Sequence, residues 1–257
     1  MDLGLHERVV IVTGGSRGIG RAAALQFGRE RARVAVTFHE QRTAAEEVAA
    51  QIARDGGEAF AVPFDLTSFD SIRAAVAAVI ARWGHVDVLV NNAVQWGTRG
   101  PWEAPLFEEL PADAWQSSLR ANLDGHYAAI QAVLPTMRAR GWGRIVNVSS
   151  GIAVDGFPGS GPYAAAKAAL HGLTRTLSKE LGPAGILVNV VMPGFTLTER
   201  NAARRKDMPA MFEQVERASP IRRLLGPEEV TPIIVFLGSA ANTAVTGEII
   251  RSSGGIT

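Results

Sequence analysis

The sequence predicts an α/β fold, a single domain on one doubly wound parallel sheet of about seven strands with helices on both faces. Three observations lead there. Short runs rich in Val and Ile alternate with Ala-rich segments of helical length along the 257 residues, the rhythm of parallel strands joined by right-handed crossovers. The first run passes through a glycine-dense turn, Gly14-Gly15-Ser16-Arg17-Gly18-Ile19-Gly20, straight into a helical pattern. Residues able to do chemistry then cluster where the strands should end, the edge at which open α/β sheets hold ligands.

Composition agrees with one such domain spanning 1–257. The chain is 47% apolar and 20% charged, enough to bury a sizeable core. Its net charge of +1 creates no field for nucleic acid or an anionic membrane. Cysteine is absent, which excludes disulfides, thiolate catalysis and cysteine metal sites. His6, His39, His85, His126 and His171 lack ligand spacing and read as surface or packing residues, so no metal is expected. No signal-peptide pattern and no apolar run of membrane-spanning length is seen, and a cytoplasmic protein is the expectation.

Each element has its own warrant. Arg8 to Thr13 is rich in β-branched residues and reads as a buried strand, and a helix follows from about Arg21 to Glu30. Between them the glycines allow a tight turn and a close approach of backbone to a pyrophosphate, whose charge suits the helix N-terminus. Val34 to Phe38 is the second strand. Its tip, Thr37-Phe38-His39-Glu40-Gln41-Arg42, carries no carboxylate at the position that selects NAD, while Glu40 stands two residues on. Arg17 can meet a 2′-phosphate or serve as a solvated loop charge; together these favour NADP(H) over NAD(H).

A helix over Ala44–Asp55, a strand over Ala59–Phe64 and a helix over Ser68–Trp83 come next, with Asp65-Leu66-Thr67 as a polar loop between them. The Val86–Val90 strand delivers Asn91-Asn92-Ala93-Val94, whose asparagines suit either loop-tying or ligand contact. An irregular loop with Trp96, Trp102 and Phe107 fills Gln95–Pro111, and one long helix is expected over about Ala112–Arg138. Arg144–Val148 and Ile186–Val191 are strands, Pro227–Ser239 a helix and Gly247–Arg251 a last strand. Glu199 to Arg223 is polar and Arg-rich, a candidate lid, with about 195–223 as its bounds.

The chemistry concentrates between Ser150 and Lys167. Tyr163 and Lys167 are four apart in an Ala-rich helical run, so they share a face. An ammonium beside a phenol favours phenolate, and such a tyrosine exchanges a proton with a substrate oxygen near working pH. Ser150 follows a strand, and the Gly/Pro-rich loop after it can fold it back over Tyr163.

Taken together, these residues resemble the short-chain dehydrogenases/reductases over nearly the whole chain. The likeness rests on T-G-G-S-R-G-I-G at Thr13, D-L-T at Asp65, N-N-A-V at Asn91, Asn122, Ser150, Tyr163, Lys167, P-G-F-T-L-T at Pro193 and V-T-G-E at Val245. Ser150 also stands thirteen residues before Tyr163, the family's usual spacing. The resemblance implies a Rossmann-type fold with a cofactor half near 1–110 and a catalytic half near 111–257. It implies Tyr163 as acid/base, Lys167 as its pKa modulator and ribose holder, Ser150 on the substrate oxygen, and Asn122 holding a relay water. Gly14, Ser16, Arg17, Gly18, Ile19 and Gly20 would line the pyrophosphate and adenosine ribose, with His39 beside them. Asp65 and Leu66 would meet adenine, Asn92 and Ala93 the adenosine half, and Pro193, Gly194, Thr196 and Thr198 the carboxamide end.

Within the family the chain is similar to bacterial 3-oxoacyl-acyl-carrier-protein reductases and related ketoreductases. That implies NADP(H)-dependent reduction of a ketone, free or carrier-protein-bound, to a secondary alcohol, by a homo-oligomer, tetramer or dimer. Two departures stand out. Val94 replaces the last glycine of N-N-A-G, and Ala184 stands where the fatty-acid enzymes carry a docking arginine; Arg138 and Arg140 remain as a basic patch. The alternatives are an NAD-dependent sugar or steroid-like alcohol dehydrogenase and a non-catalytic cofactor-binding protein.

Overall fold

Residues of one strand alternate between two faces, so a sheet buried on both sides needs apolar residues in unbroken runs. Among β1 (Val9–Val12), β2 (Arg33–Phe38), β3 (Glu58–Pro63), β4 (Val88–Asn91), β5 (Gly143–Val148), β6 (Ile186–Pro193) and β7 (Ile249–Ser252), the inner strands are buried almost throughout, whereas the edge strands β3 and β7 are mostly half-buried. The computed structural model describes residues 2–95 and 105–256. It pairs the seven strands in parallel in the order β3-β2-β1-β4-β5-β6-β7. The order reverses between β1 and β4, which opens a crevice at their carboxyl ends.

Val10 and Val12 of β1 face α1 (Gly18–Arg29) and α10 (Pro227–Leu237), packing with Phe27, Val230 and Ile234. Their neighbours Val9 and Ile11 face the other way, towards α3 (Phe69–Trp83) and α5 (Gly125–Arg140), with Ile72, Val76, Ile130 and Met137. α2 (Arg42–Arg54) extends the first layer through Val48 and Ile52. Two apolar layers thus clamp one sheet.

The expected long helix over 112–138 is divided. α4 (Ala112–Leu119) runs into a π turn (Arg120–Asp124) before α5 begins. A π turn shifts the hydrogen-bond ladder by one residue and leaves carbonyls without their usual amide donors. Polar side chains fill in: Asn122 Nδ2 donates to Ser118 O at 3.0 Å, and His126 Nδ1 lies 2.8 Å from Asn122 O. Such compensation depends on where side chains point and has no sequence signature. Residues 96–104, with Trp96 and Trp102 of the expected loop, lie outside the described residues.

After β5 the chain continues with a single turn, α6 (Ile152–Asp155), and α7 (Gly161–Leu181), which Pro162 opens at its start. The segment expected as a polar lid contains α8 (Glu199–Arg204) and α9 (Pro209–Ala218). It is anchored by Phe212, which is fully buried with its ring 5.1 Å from that of Phe195.

Candidate active site

β1 ends in Thr13, and its side chain organises the glycine turn. Thr13 Oγ1 accepts from the amides of Asn92 and Ala93 at 2.9 Å each and donates to Val90 O at 3.2 Å. Asn92 Nδ2 answers by donating to Thr13 O and Gly14 O at 2.9 and 3.2 Å. Asn92 therefore ties β4 to the turn as well as lining the cavity. Gly14 and Gly18 sit at φ +64° and +55°, which favour glycine, and a Cβ on Gly20 would collide with Gly14 O. Arg17 is extended and exposed at the helix N-cap.

The opposite wall of this half is the tip of β2. Thr37 holds the turn, accepting from Gly14 N through Oγ1 at 3.0 Å and from Gly15 N through its carbonyl at 2.9 Å. His39 and Glu40 are exposed and line the same cavity as Arg17. Asp65 accepts from Thr67 N and Thr67 Oγ1, both at 2.8 Å, and faces His39 Nε2 at 3.8 Å. Burial pushes its carboxyl upward, but the Thr67 hydrogen bonds and His39 outweigh this and hold it below the usual range. Leu66 is buried and lines the cavity beside it.

The far end of the cavity is lined by residues from the end of β5 and from α7. β5 delivers Ser149 and Ser150, and α7 carries Tyr163 and Lys167 one turn apart. Ser149 Oγ donates to Lys167 O at 3.1 Å and lies 2.8 Å from His171 Nε2, joining strand end to helix. Ser150 and Tyr163 are joined by a side-chain hydrogen bond. Ser150 Oγ also accepts from Ile152 N at 3.3 Å. Lys167 is 2% exposed, donates from Nζ to Val148 O at 2.8 Å, and stands 5.9 Å from the centre of the Tyr163 ring.

The electrostatics correct one expectation. Burial pushes the Tyr163 phenol up to about 12, against the pull of its Ser150 hydrogen bond, rather than down towards working pH. The same burial pushes Lys167 down to about 7. Desolvation penalises phenolate and ammonium alike, and Lys167 spends a proton on Val148 O. Burial thus favours the protonated phenol of Tyr163 and weakens the hold of Lys167 on its proton.

Asn122 is fully buried. Its Oδ1 accepts from Gln95 N at 3.0 Å and its Nδ2 donates to Gln95 O at 2.8 Å, a two-point grip on the strand exit. Its backbone carbonyl faces His126. Beyond β6, Gly194 N donates to Ser252 O at 3.2 Å and Thr196 Oγ1 to Gly194 O at 3.1 Å. Thr198 caps α8, accepting from Asn201 N at 3.4 Å.

All these walls enclose one cavity of about 760 Å³, which runs from Arg17 and His39 past Asn92 and Ala93 to Ser150, Tyr163, Pro193 and Thr198. Its volume, glycine floor and elongated lining fit a dinucleotide, pyrophosphate end at Gly14–Gly20 and reacting end at Tyr163. Ile152, Phe157, Phe195, Met211 and Val215 form an apolar wall of the cavity, to which α8 adds Arg200 and Arg204. Sequence reasoning missed Gln95, Ser149 and Glu199. Glu199 Oε2 accepts from Gly18 N at 3.0 Å, tying α8 to the glycine turn across the crevice. Of these, only Ser149 had a signal, its place beside Ser150.

A family model described as short chain dehydrogenase matches residues 8–209. Among curated proteins, the chain is similar to "3-oxoacyl-[acyl-carrier-protein] reductase FabG" of Staphylococcus epidermidis, 35% identical over 97% of this chain and 99% of the relative. The protein of that same name from Aquifex aeolicus is 36% identical, with 100% of both chains covered. A solved dehydrogenase/reductase from Sinorhizobium meliloti 1021 superposes with a TM-score of 0.88 at 31% identity, covering 100% of this chain and 97% of that one.

Proposed function

Since the chain belongs to the short-chain dehydrogenase family and is an NAD(P)-dependent oxidoreductase, we propose that it reduces a ketone to a secondary alcohol with NADPH. The observation that carries this reading is the convergence of Ser150, Tyr163 and Lys167 on the cavity that the glycine turn lines. When bound, the cofactor supplies the hydride. Ser150 and Tyr163 hold the ketone oxygen, which gains negative charge as the carbon is reduced, so their hydrogen bonds strengthen in the transition state. Tyr163 then gives its proton to that oxygen. A buried phenolate is left, and the Lys167 ammonium next to it stabilises it and can return a proton.

NADPH is favoured by Arg17 and His39, two groups able to meet a 2′-phosphate on the adenosine wall. Glu40 lines the same wall and supports the rival NAD-dependent dehydrogenase reading. Binding titrations with NADPH and NADH separate the two: tighter NADH binding would move the assignment to Glu40 and to alcohol oxidation.

The substrate reading is a 3-oxoacyl or comparable ketone with an apolar chain, supported by the FabG relatives and by the apolar wall. For a carrier-protein-bound form, Arg200 and Arg204 at the cavity fit an anionic linker, whereas Arg140 pairs with Asp87 near the amino end of β4, away from the cavity. NADPH consumption with a 3-oxoacyl thioester and with free ketones tests this. No turnover of any ketone would sink the reductase reading. A homo-oligomer is the accompanying expectation, and light scattering in solution measures it.

A further inference from the structure

α1 starts without help from its own sequence. Its N-cap residue, Arg17, makes no side-chain capping bond, and no acidic residue stands in its first turn. The Gly18 amide has a partner 181 positions away instead: Glu199 Oε2 accepts from it at 3.0 Å. A helix start carries unsatisfied N–H groups and partial positive charge, so a carboxylate is favoured there for the same reason as a phosphate. Glu199 therefore holds a donor of the same glycine turn that is suited to a pyrophosphate, and both residues line the one cavity.

The contact is built into the fold around it. Gly18 lies so close under the entry to α8 that a Cβ on it would come within 3.2 Å of Thr198 Cγ2. Thr198 Oγ1 accepts from Asn201 N at 3.4 Å, and Asn201 Nδ2 donates to Thr196 O at 2.7 Å, so residues 196–201 form one knot around the glutamate. Arg205 Nη2 donates to Glu216 Oε2 at 2.9 Å and ties the end of α8 to α9, which carries Met211 and Val215 of the cavity wall.

We propose that Glu199 is a latch that competes with the coenzyme. Its carboxylate occupies an N–H group offered to the pyrophosphate and holds the start of the 195–223 segment on the glycine turn until the pyrophosphate displaces it. One N–H does not serve two anions at full strength, and carboxylate and pyrophosphate repel each other side by side. Glu199 is itself exposed, so solvent screens its charge and the competition is modest. The inference rests on the dinucleotide reading of the cavity and is independent of which ketone is reduced.

Calorimetric titration of NADPH and NADH into the full-length protein and its Glu199→Gln variant tests it. Gln keeps an acceptor and loses the charge, at an exposed position that folding tolerates. Both coenzymes carry the pyrophosphate, so both should bind roughly fivefold more tightly to the variant, whichever of them the wild type prefers. Glu228→Gln removes the same charge from an exposed residue outside the cavity lining and should leave both affinities within about twofold. With no ligand added, Glu199→Ala should move the Gly18 amide proton upfield and speed its exchange with solvent, as its acceptor is lost. Unchanged or weaker coenzyme binding in Glu199→Gln would overturn the proposal, as would an equal gain in Glu228→Gln or a Gly18 amide indifferent to Glu199→Ala. A wild-type protein that binds neither coenzyme defeats the dinucleotide reading instead.

Discussion

At the scale of single residues, the proposed reaction turns on how burial sets two pKa values. With Tyr163 held near 12 and Lys167 near 7, the pair is poised to donate protons. If reduction draws on the Lys167 ammonium as proposed, its rate should fall as pH rises through about 7, and oxidation of the alcohol should rise over the same interval. Pre-steady-state and steady-state pH profiles check this; profiles of the same sign in both directions would contradict it. Tyr163→Phe removes the acid and should lower turnover roughly a hundred- to ten-thousand-fold while cofactor binding persists. Near-wild-type rates in that variant would end the mechanism. Tyr163, Lys167 and Ser150 were legible in the sequence because helical spacing and a strand end place them. Their pKa order was not, since desolvation depends on neighbours from distant parts of the chain. Asn122 shows the same divide: its position was legible, whereas its grip on Gln95 was not.

At the scale of elements, strands and helices were read within a few residues because apolar runs and glycine stops mark them. Ser68 caps α3, accepting from Ser71 N at 3.2 Å, and Gly84 ends it in the left-handed conformation. The π turn escaped, as did the packing that demands Gly125. A Cβ there would collide with Leu66 O, so α5 passes the Asp65–Leu66 loop with no room for a methyl group. Gly125→Ala should therefore destabilise the fold by about 3 kcal/mol, the upper range for overpacking, despite its better helix propensity. Denaturant unfolding measures it; an unchanged or raised midpoint would mean that the helix and loop separate easily. The lid also holds more structure than its polar sequence suggests. Removing the α8 cap with Thr198→Ala should cost about 1 kcal/mol locally, visible as faster amide exchange over 199–204.

At the scale of the whole molecule, a cation holds distant segments together. Arg144 is 5% exposed and donates to the carbonyls of Gly143, Gly185, Ser239 and Asn242, at 2.8, 3.2, 3.2 and 2.8 Å. Trp142 stacks beside its guanidinium at 4.3 Å, with Arg8 over the same ring at 3.9 Å. Burial and the nearby Arg8 pull Arg144 down to about 10, so it stays charged at neutral pH. Arg144→Met leaves those carbonyls short of a donor and should destabilise the protein by about 3 kcal/mol or more, with little change in cofactor affinity once folded. Thermal unfolding followed by NADPH titration tests both parts. Fold class was legible because strand rhythm, glycine turn and catalytic residues all point to one architecture. This staple was not, since its acceptors lie up to 98 positions away.

The reversal of strand order between β1 and β4 also separates two inheritable traits. The wall proposed to discriminate one coenzyme from another, Arg17, His39 and Glu40, comes from the segments after β1 and β2. The proposed substrate surface, Ile152, Phe157, Met211 and Val215, comes from the segments that follow β5 and β6. Exchanging residues on the first wall should therefore retune coenzyme choice without redesigning what is reduced, and diversification of the second can proceed on an unchanged coenzyme platform.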